Sequence, residues 1–188
     1  SAVVPDVELT AVRIAVPFAV MERIEAMAAA IPMPRDEMVE LLLRSRTDGP
    51  GSPAEAMWHQ YLSGEVQTPA AIAAELASVG VQGGVRGLRL GSPSPDRGPV
   101  PWSRQGLGAE LWWSPEQTWP AVRGLWRINP KGITVIVALR LGYVLGVYRV
   151  VGWATDPTTG RSYATEGVII GADGRLRDPG SGTDVGPV

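Results

Sequence analysis

The chain has 188 residues, 45% of them hydrophobic, and a formal net charge of −2. This length fits one domain or two small ones, and the apolar fraction is ordinary for a packed globular protein. The mild acidity argues against broad, charge-driven adhesion to nucleic acid, so any such contact must come from a local patch. The absence of cysteine excludes disulfides, thiolate nucleophiles and cysteine-based zinc sites.

The sequence also shows no pattern typical of a membrane-spanning segment or a secretory signal. No run approaches the roughly 20 apolar residues that a membrane-spanning helix needs. Residues 1–9 lack a basic stretch followed by an apolar one, which a secretory signal would have. The sequence therefore predicts a soluble, cytoplasmic protein with no membrane partner.

The first predicted element is a strand over residues 11–17, which alternate in the period of two that strands show. The β-branched residues at 12, 14 and 16 share one face. The opposite face carries Ala11, Arg13 and Ala15. Pro17 ends the strand and suits the start of a helix.

Two helices are predicted next, over residues 18–31 and 35–44. Apolar residues recur at helical spacing from Met21 to Ile31. A proline-containing turn separates the two helices. The second helix has acids in its first turn and Arg44 near its end, which matches the helix dipole.

This succession, over residues 7–46, resembles the ribbon-helix-helix family of repressors and antitoxins. The strand ends at Pro17, the run 20–24 matches the family's apolar, acidic, basic, apolar order, and 35–39 matches the start of its second helix. The resemblance implies that strands from two chains pair into a ribbon that enters the DNA major groove. It also implies a set of DNA contacts, in which the strand residues face the bases and the start of the second helix holds a phosphate: Ala11, Arg13, Ala15, Arg35 and Asp36.

A unit of this size needs a partner. Domains below about 40 residues rarely bury enough apolar surface without a disulfide, a metal or a second chain, so we expect an intertwined homodimer. Residues 1–50 contain five basic and eight acidic residues, a net −3. An alternative is therefore that the unit only assembles the protein and binds no DNA.

Residues 47–53 concentrate turn-forming residues and predict a linker. Two short helices follow, at 54–63 and 69–79. Each begins with a hydroxyl residue beside a proline, in the pairs Ser52-Pro53 and Thr68-Pro69.

Short β-type runs divided by Gly and Pro make up most of the remaining chain. The predicted strands cover residues 85–90, 133–139, 143–153 and 163–170. The fold class is therefore α+β, with a C-terminal domain over 54–177 that forms a small barrel or sheet with two short helices. Residues 178–188 have little to bury and predict a flexible tail.

All seven tryptophans lie beyond residue 50, and five of them fall between residues 102 and 126. They could form a base-stacking or ligand pocket, or they could close a small core between proline-rich loops. The segments 125–130 and 143–153 resemble PUA-like β-barrels of the EVE and ASCH kind, whose pocket binds nucleic acid, often with a modified base. The resemblance implies a pocket at Trp126, Arg127, Tyr148 and Trp153.

An enzyme has little support in the sequence. The single histidine, His59, lies on a predicted helix beside Trp58 and suits packing or a helix surface better than catalysis. No glycine-rich phosphate loop precedes a helix. We expect no catalytic residue, no metal and no cofactor.

The predicted function is a dimeric DNA-binding protein, a transcriptional regulator or antitoxin-like repressor, whose C-terminal domain senses a ligand or binds a protein partner. Two alternatives remain open. One is a homodimeric interaction module that does not bind DNA, and the other is nucleic-acid binding by the C-terminal domain.

Overall fold

The computed structural model describes residues 15–30, 33–64, 68–95, 100, 102 and 106–188. The chain divides into two compact units, Ala2–Glu65 and Val66–Val188. Most of the predicted strand at 11–17 lies outside the described residues, including Ala11 and Arg13. Residues 15–17 belong to no strand, so the ribbon remains a prediction.

The N-terminal unit contains three helices: α1 (Phe18–Ala30), α2 (Arg35–Thr47) and α3 (Pro53–Ser63). All three were predicted. The start of α3 shows why, because the Ser52 hydroxyl accepts a hydrogen bond from the Glu55 N–H at 3.2 Å and Pro53 occupies the first turn. Gly64 ends this helix with a φ of 67°, a conformation that glycine adopts without strain.

The third helix belongs to the N-terminal unit, which corrects the predicted boundary at 47–53. It packs against α2 and buries Met57, Trp58 and Tyr61. The Tyr61 hydroxyl also donates a hydrogen bond to the Met27 carbonyl of α1 at 2.7 Å. The turn-rich residues 47–53 thus connect two packed helices instead of two domains, and such short connections are usual between antiparallel neighbours.

The C-terminal unit is a mixed sheet with two helices. Its pairing order is β1-β3-β4-β5-β6-β7, with β2 on β5; β1 and β3 are parallel, and the other pairs are antiparallel. Its elements are α4 (Pro69–Ser78), β1 (Val85–Arg89), α5 (Pro115–Val122), β2 (Gly124–Trp126), β3 (Val135–Arg140), β4 (Tyr143–Thr155), β5 (Ser162–Ile170), β6 (Arg175–Arg177) and β7 (Asp184–Pro187).

The sheet is open, so the sheet alternative was right and the barrel alternative was wrong. Within the described residues the order ends at β1 and β7, and no pairing joins these two strands. The short strands β6 and β7 extend the antiparallel sheet beyond β5, so β7 is the edge opposite β1.

The predicted flexible tail contains a strand, which polar hydrogen bonds order together with Val188, whose side chain packs against the apolar cluster around Leu76 and Val135. The Asp178 carboxylate accepts from the N–H groups of Gly180 and Ser181, at 3.0 and 2.8 Å, and fixes a turn. Arg175 Nε then donates to Asp184 Oδ2 at 2.7 Å, across the β6–β7 pair. The same guanidinium lowers the pKa of Asp184 below its usual value.

Both faces of β3 are buried, as its nearly continuous apolar sequence predicted. One face of the sheet packs on α4, where Leu76 meets Val135 and Val137. The other face packs on α5, where Trp119 stacks on Tyr148 of β4. In the described part of the chain, no helix combines the length and apolarity that crossing a bilayer requires.

Candidate functional site

A helix that the sequence analysis missed, α5, organises the tryptophan-rich region. Ser114 and Gln117 form a reciprocal capping box, with the Ser114 hydroxyl accepting from the Gln117 N–H at 3.3 Å and Gln117 Oε1 accepting from the Ser114 N–H at 2.8 Å. Pro115 follows the capping serine, as in the two helices that were predicted. The Ser114-Pro115 pair is the same helix-start pattern, but the sequence analysis considered this region only for its tryptophans.

Tyr148 serves the core of the C-terminal unit. Its side chain is fully buried, its ring lies 5.1 Å from that of Trp119, and its hydroxyl donates to the Pro115 carbonyl at 2.7 Å. Burial raises the pKa of Tyr148 far above that of a free tyrosine. The hydroxyl therefore links α5 to β4, and its burial makes it inaccessible to a ligand.

Arg123 holds the end of α5 to β5. Its Nε and Nη2 donate to the carbonyls of Ala164 and Thr165 at 3.0 and 2.8 Å, and its guanidinium lies 4.7 Å from the centre of the Trp102 ring. Burial lowers the pKa of Arg123, partly offset by the nearby Tyr163. This cation is engaged in structure.

The four residues predicted to form a pocket have different surroundings. Tyr148 is in the core, and the indole N–H of Trp153 donates to the Ile133 carbonyl at 3.1 Å. Arg127 is exposed. Trp126 donates its N–H to the Val122 carbonyl at 2.7 Å, yet it also lines a cavity.

This cavity, which we call the Trp126 cavity, has a volume of about 270 Å³. It brings together Trp126 at the end of β2, Arg89 at the end of β1, and Arg161 just before β5. Sequence reasoning missed both arginines, because they are far apart in the chain and only the strand pairing brings them to one place.

Glycines allow the cavity walls to approach closely. A Cβ atom on Gly108 would lie 2.4 Å from the Ser92 carbonyl oxygen, and one on Gly124 would lie 2.8 Å from that of Ser162. Both glycines also have positive φ angles, 79° and 128°. Any larger residue at either position would displace the wall.

The charge of the Trp126 cavity is positive and uncompensated. Among the described residues, neither Arg89 nor Arg161 has an ion pair or a side-chain hydrogen bond. An indole face can stack on a flat ring, and a guanidinium can hold a phosphate or carboxylate through paired donors. The cavity therefore suits a planar, anionic group.

The N-terminal residues predicted to contact DNA divide into two groups. Ala11 and Arg13 lie outside the described residues, and Ala15 is exposed just before α1. Arg35 lies near two carboxylates at the surface, with Nη1 3.4 Å from Glu25 Oε1 and Nε 3.6 Å from Asp36 Oδ1. The carboxylates beside the start of α2 oppose a phosphate there.

Metal-binding geometry does not occur in the described ranges, where no three histidine, aspartate or glutamate side chains come together. No protein-family model, curated protein or solved structure matches the chain.

Replacing Tyr148 with Phe tests its structural assignment. We expect a loss of about 1–2 kcal/mol in the free energy of unfolding, because a buried hydrogen bond is removed without a change in ring packing. Denaturant unfolding measures this loss. The control is Tyr163→Phe, because Tyr163 is half-buried and its hydroxyl donates no hydrogen bond within the described structure, so its loss should leave stability nearly unchanged. Equal stability of Tyr148→Phe and the wild type would contradict the assignment.

Proposed function

We propose that the C-terminal unit binds single-stranded nucleic acid, with one base against Trp126 and adjacent phosphates at Arg89 and Arg161. The observation that carries this proposal is the Trp126 cavity, which is lined by an aromatic residue and by two arginines whose side chains have no carboxylate partner among the described residues. Stacking on aromatic side chains and phosphate contacts are the two interactions on which single-strand binding depends.

The size of the cavity favours one base of a longer strand. Its volume of about 270 Å³ lies just below the range of roughly 300–1,000 Å³ typical of pockets for whole small molecules. A base within a duplex is stacked on its neighbours and could enter only after extrusion. A single strand avoids that cost, so it is the preferred substrate class.

The distribution of charge supports the same unit. Residues 66–188 contain twelve basic and nine acidic residues, whereas residues 2–65 contain five basic and ten acidic residues. The mild net acidity of the whole chain therefore conceals a basic C-terminal unit. Outside the cavity, four further cations have no partner within the described structure and are available to phosphates: Arg86, Arg127, Lys131 and Arg149.

The full-length protein should bind a fluorescent single-stranded oligonucleotide at low salt, and Trp126→Leu should weaken that binding about 5–100-fold through loss of stacking. Arg161→Gln should weaken it and reduce the slope of log affinity against log salt by about 0.7, the value for one phosphate contact on a single strand. Fluorescence anisotropy at several salt concentrations measures both effects.

The matched control is Arg46→Gln, which removes the same charge from an exposed position of the N-terminal unit. It should leave both affinity and salt slope near those of the wild type. If Arg46→Gln and Arg161→Gln lose the same affinity, the loss reflects the net charge of the protein and not a contact at Arg161. Unchanged affinity in Trp126→Leu would exclude the Trp126 cavity as the binding site.

The N-terminal unit supports a second part of the proposal, assembly of two copies through its helices. Its described residues expose apolar side chains on all three helices: Phe18 is 78% exposed, Val20 42%, Leu43 51% and Leu62 54%. A unit of about 60 residues buries roughly 60% of the surface that its unfolded chain exposes, a smaller share than larger domains bury. A second copy is the occupant we propose, because the ribbon-helix-helix resemblance implies pairing about a twofold axis.

Phe18→Ser should weaken the homodimer at least about tenfold, since a twofold interface loses the same apolar side chain from both copies. Sedimentation velocity over a range of protein concentrations measures the dimer fraction. Val151→Ser is the control, because Val151 is 64% exposed on β4 of the other unit. A wild-type protein that stays monomeric at high concentration would contradict the assembly.

A second candidate function is reading of duplex DNA by the ribbon. Its support is the resemblance over residues 7–46, together with helices that begin at Phe18 and Arg35 in the register that the resemblance implies. In that case Arg13 reads a base edge, and the dimer that presents it is the one proposed above.

Arg13→Ala should then weaken binding of a duplex by about 1–3 kcal/mol and leave single-strand binding unchanged. A duplex titration of both proteins measures the change, with Arg23→Ala on α1 as the control. If no duplex is bound at low salt, the ribbon candidate is abandoned while the proposal for the Trp126 cavity stands.

A further inference from the structure

We propose that the groove between α4 and the sheet binds a small amphipathic anion, with an apolar chain or ring in the groove and a carboxylate or similar group at Arg89. This α4 groove has a volume of about 670 Å³. It is a different cavity from the Trp126 cavity and does not rest on the nucleic-acid proposal, although Arg89 lines both.

The groove is apolar on both sides. Ile72, Ala73 and Leu76 line it from α4, and Val137 and Leu139 line it from β3. Leu76 is the one fully buried side chain among the ten residues of α4. The helix therefore covers only part of the apolar sheet face, and the groove is the part that remains open beside it.

Glycine keeps the floor of the groove clear. On the face that packs on α4, β1 places Gly87 opposite Val137 and between Val85 and Arg89. A Cβ atom at Gly87 would lie 3.2 Å from a methyl group of Leu139. A side chain there would crowd β3 and fill the space that a ligand chain would occupy.

Charge selects the end group of the ligand. Arg89 is the one charged residue among the described residues that line the groove, and no ion pair or hydrogen bond to its guanidinium is present there. An apolar slot with a single unpaired cation at its border matches an apolar anion. The cavity on the other side of α4, of about 510 Å³, is lined by Glu75, Glu116 and Arg177 and therefore carries charges of both signs.

The test is calorimetric titration of the full-length protein with decanoate, decanol and decyltrimethylammonium, all below their aggregation concentrations. Decanoate should bind about tenfold more tightly than decanol, the usual gain from one charge-assisted contact. Arg89→Gln should abolish that difference. Arg86→Gln is the control, because Arg86 has the opposite parity on β1 and does not line the groove.

A steric pair of variants tests the location independently of charge. Ala73 and Ala74 are both exposed on α4, but only Ala73 lines the groove. Ala73→Trp should therefore fill the groove and reduce decanoate binding at least tenfold, while Ala74→Trp should bind as the wild type does. Circular dichroism and thermal unfolding establish that each variant is folded.

Three outcomes would overturn the proposal: decanoate binding unchanged in Ala73→Trp, equal binding of decanoate and decanol, or tighter binding of decyltrimethylammonium than of decanoate. The last outcome would move the ligand site to the cavity on the other side of α4, which Glu75 and Glu116 line together with Arg177. Arg161→Gln separates this proposal from the nucleic-acid one, since it should weaken oligonucleotide binding and leave decanoate binding intact.

Discussion

The burial of β3 on both faces is the constraint from which the C-terminal unit follows. A strand that is apolar on both sides requires cover on both sides, and α4 and α5 supply it on opposite faces. Among the described strands β1 pairs only with β3, so it forms one edge of the sheet. Arg89, at the end of this edge strand, consequently lies where both the Trp126 cavity and the α4 groove open.

Local signals in the sequence identified the elements that depend on local chemistry. Helix α3 was predictable from the hydroxyl-proline pair that caps it, and β3 from its continuous apolar run. The same capping signal at Ser114 and Pro115 was overlooked among the tryptophans. The strand β7 was not predicted, because hydrogen bonds of Arg175, Asp178 and Asp184 order this segment. Its polar composition is also typical of a mobile tail.

The candidate site was less predictable, because it depends on contacts between distant parts of the chain. Tryptophan density drew attention to Trp126, but its partners Arg89 and Arg161 come together only through the sheet. The difference in net charge between the two units was also not predicted from the sequence. It becomes clear once the division of the chain at residue 65 assigns α3 and its acidic neighbours to the N-terminal unit.

The anions proposed for the Trp126 cavity and for the α4 groove would share one residue, because Arg89 lines both. Neutralisation of Arg89 from one side lowers the potential that it offers on the other. Thermodynamic linkage makes any such effect equal in both directions. The placement of this edge-strand residue therefore provides the C-terminal unit with a physical basis for antagonism, in which occupancy of one opening lowers the affinity of the other.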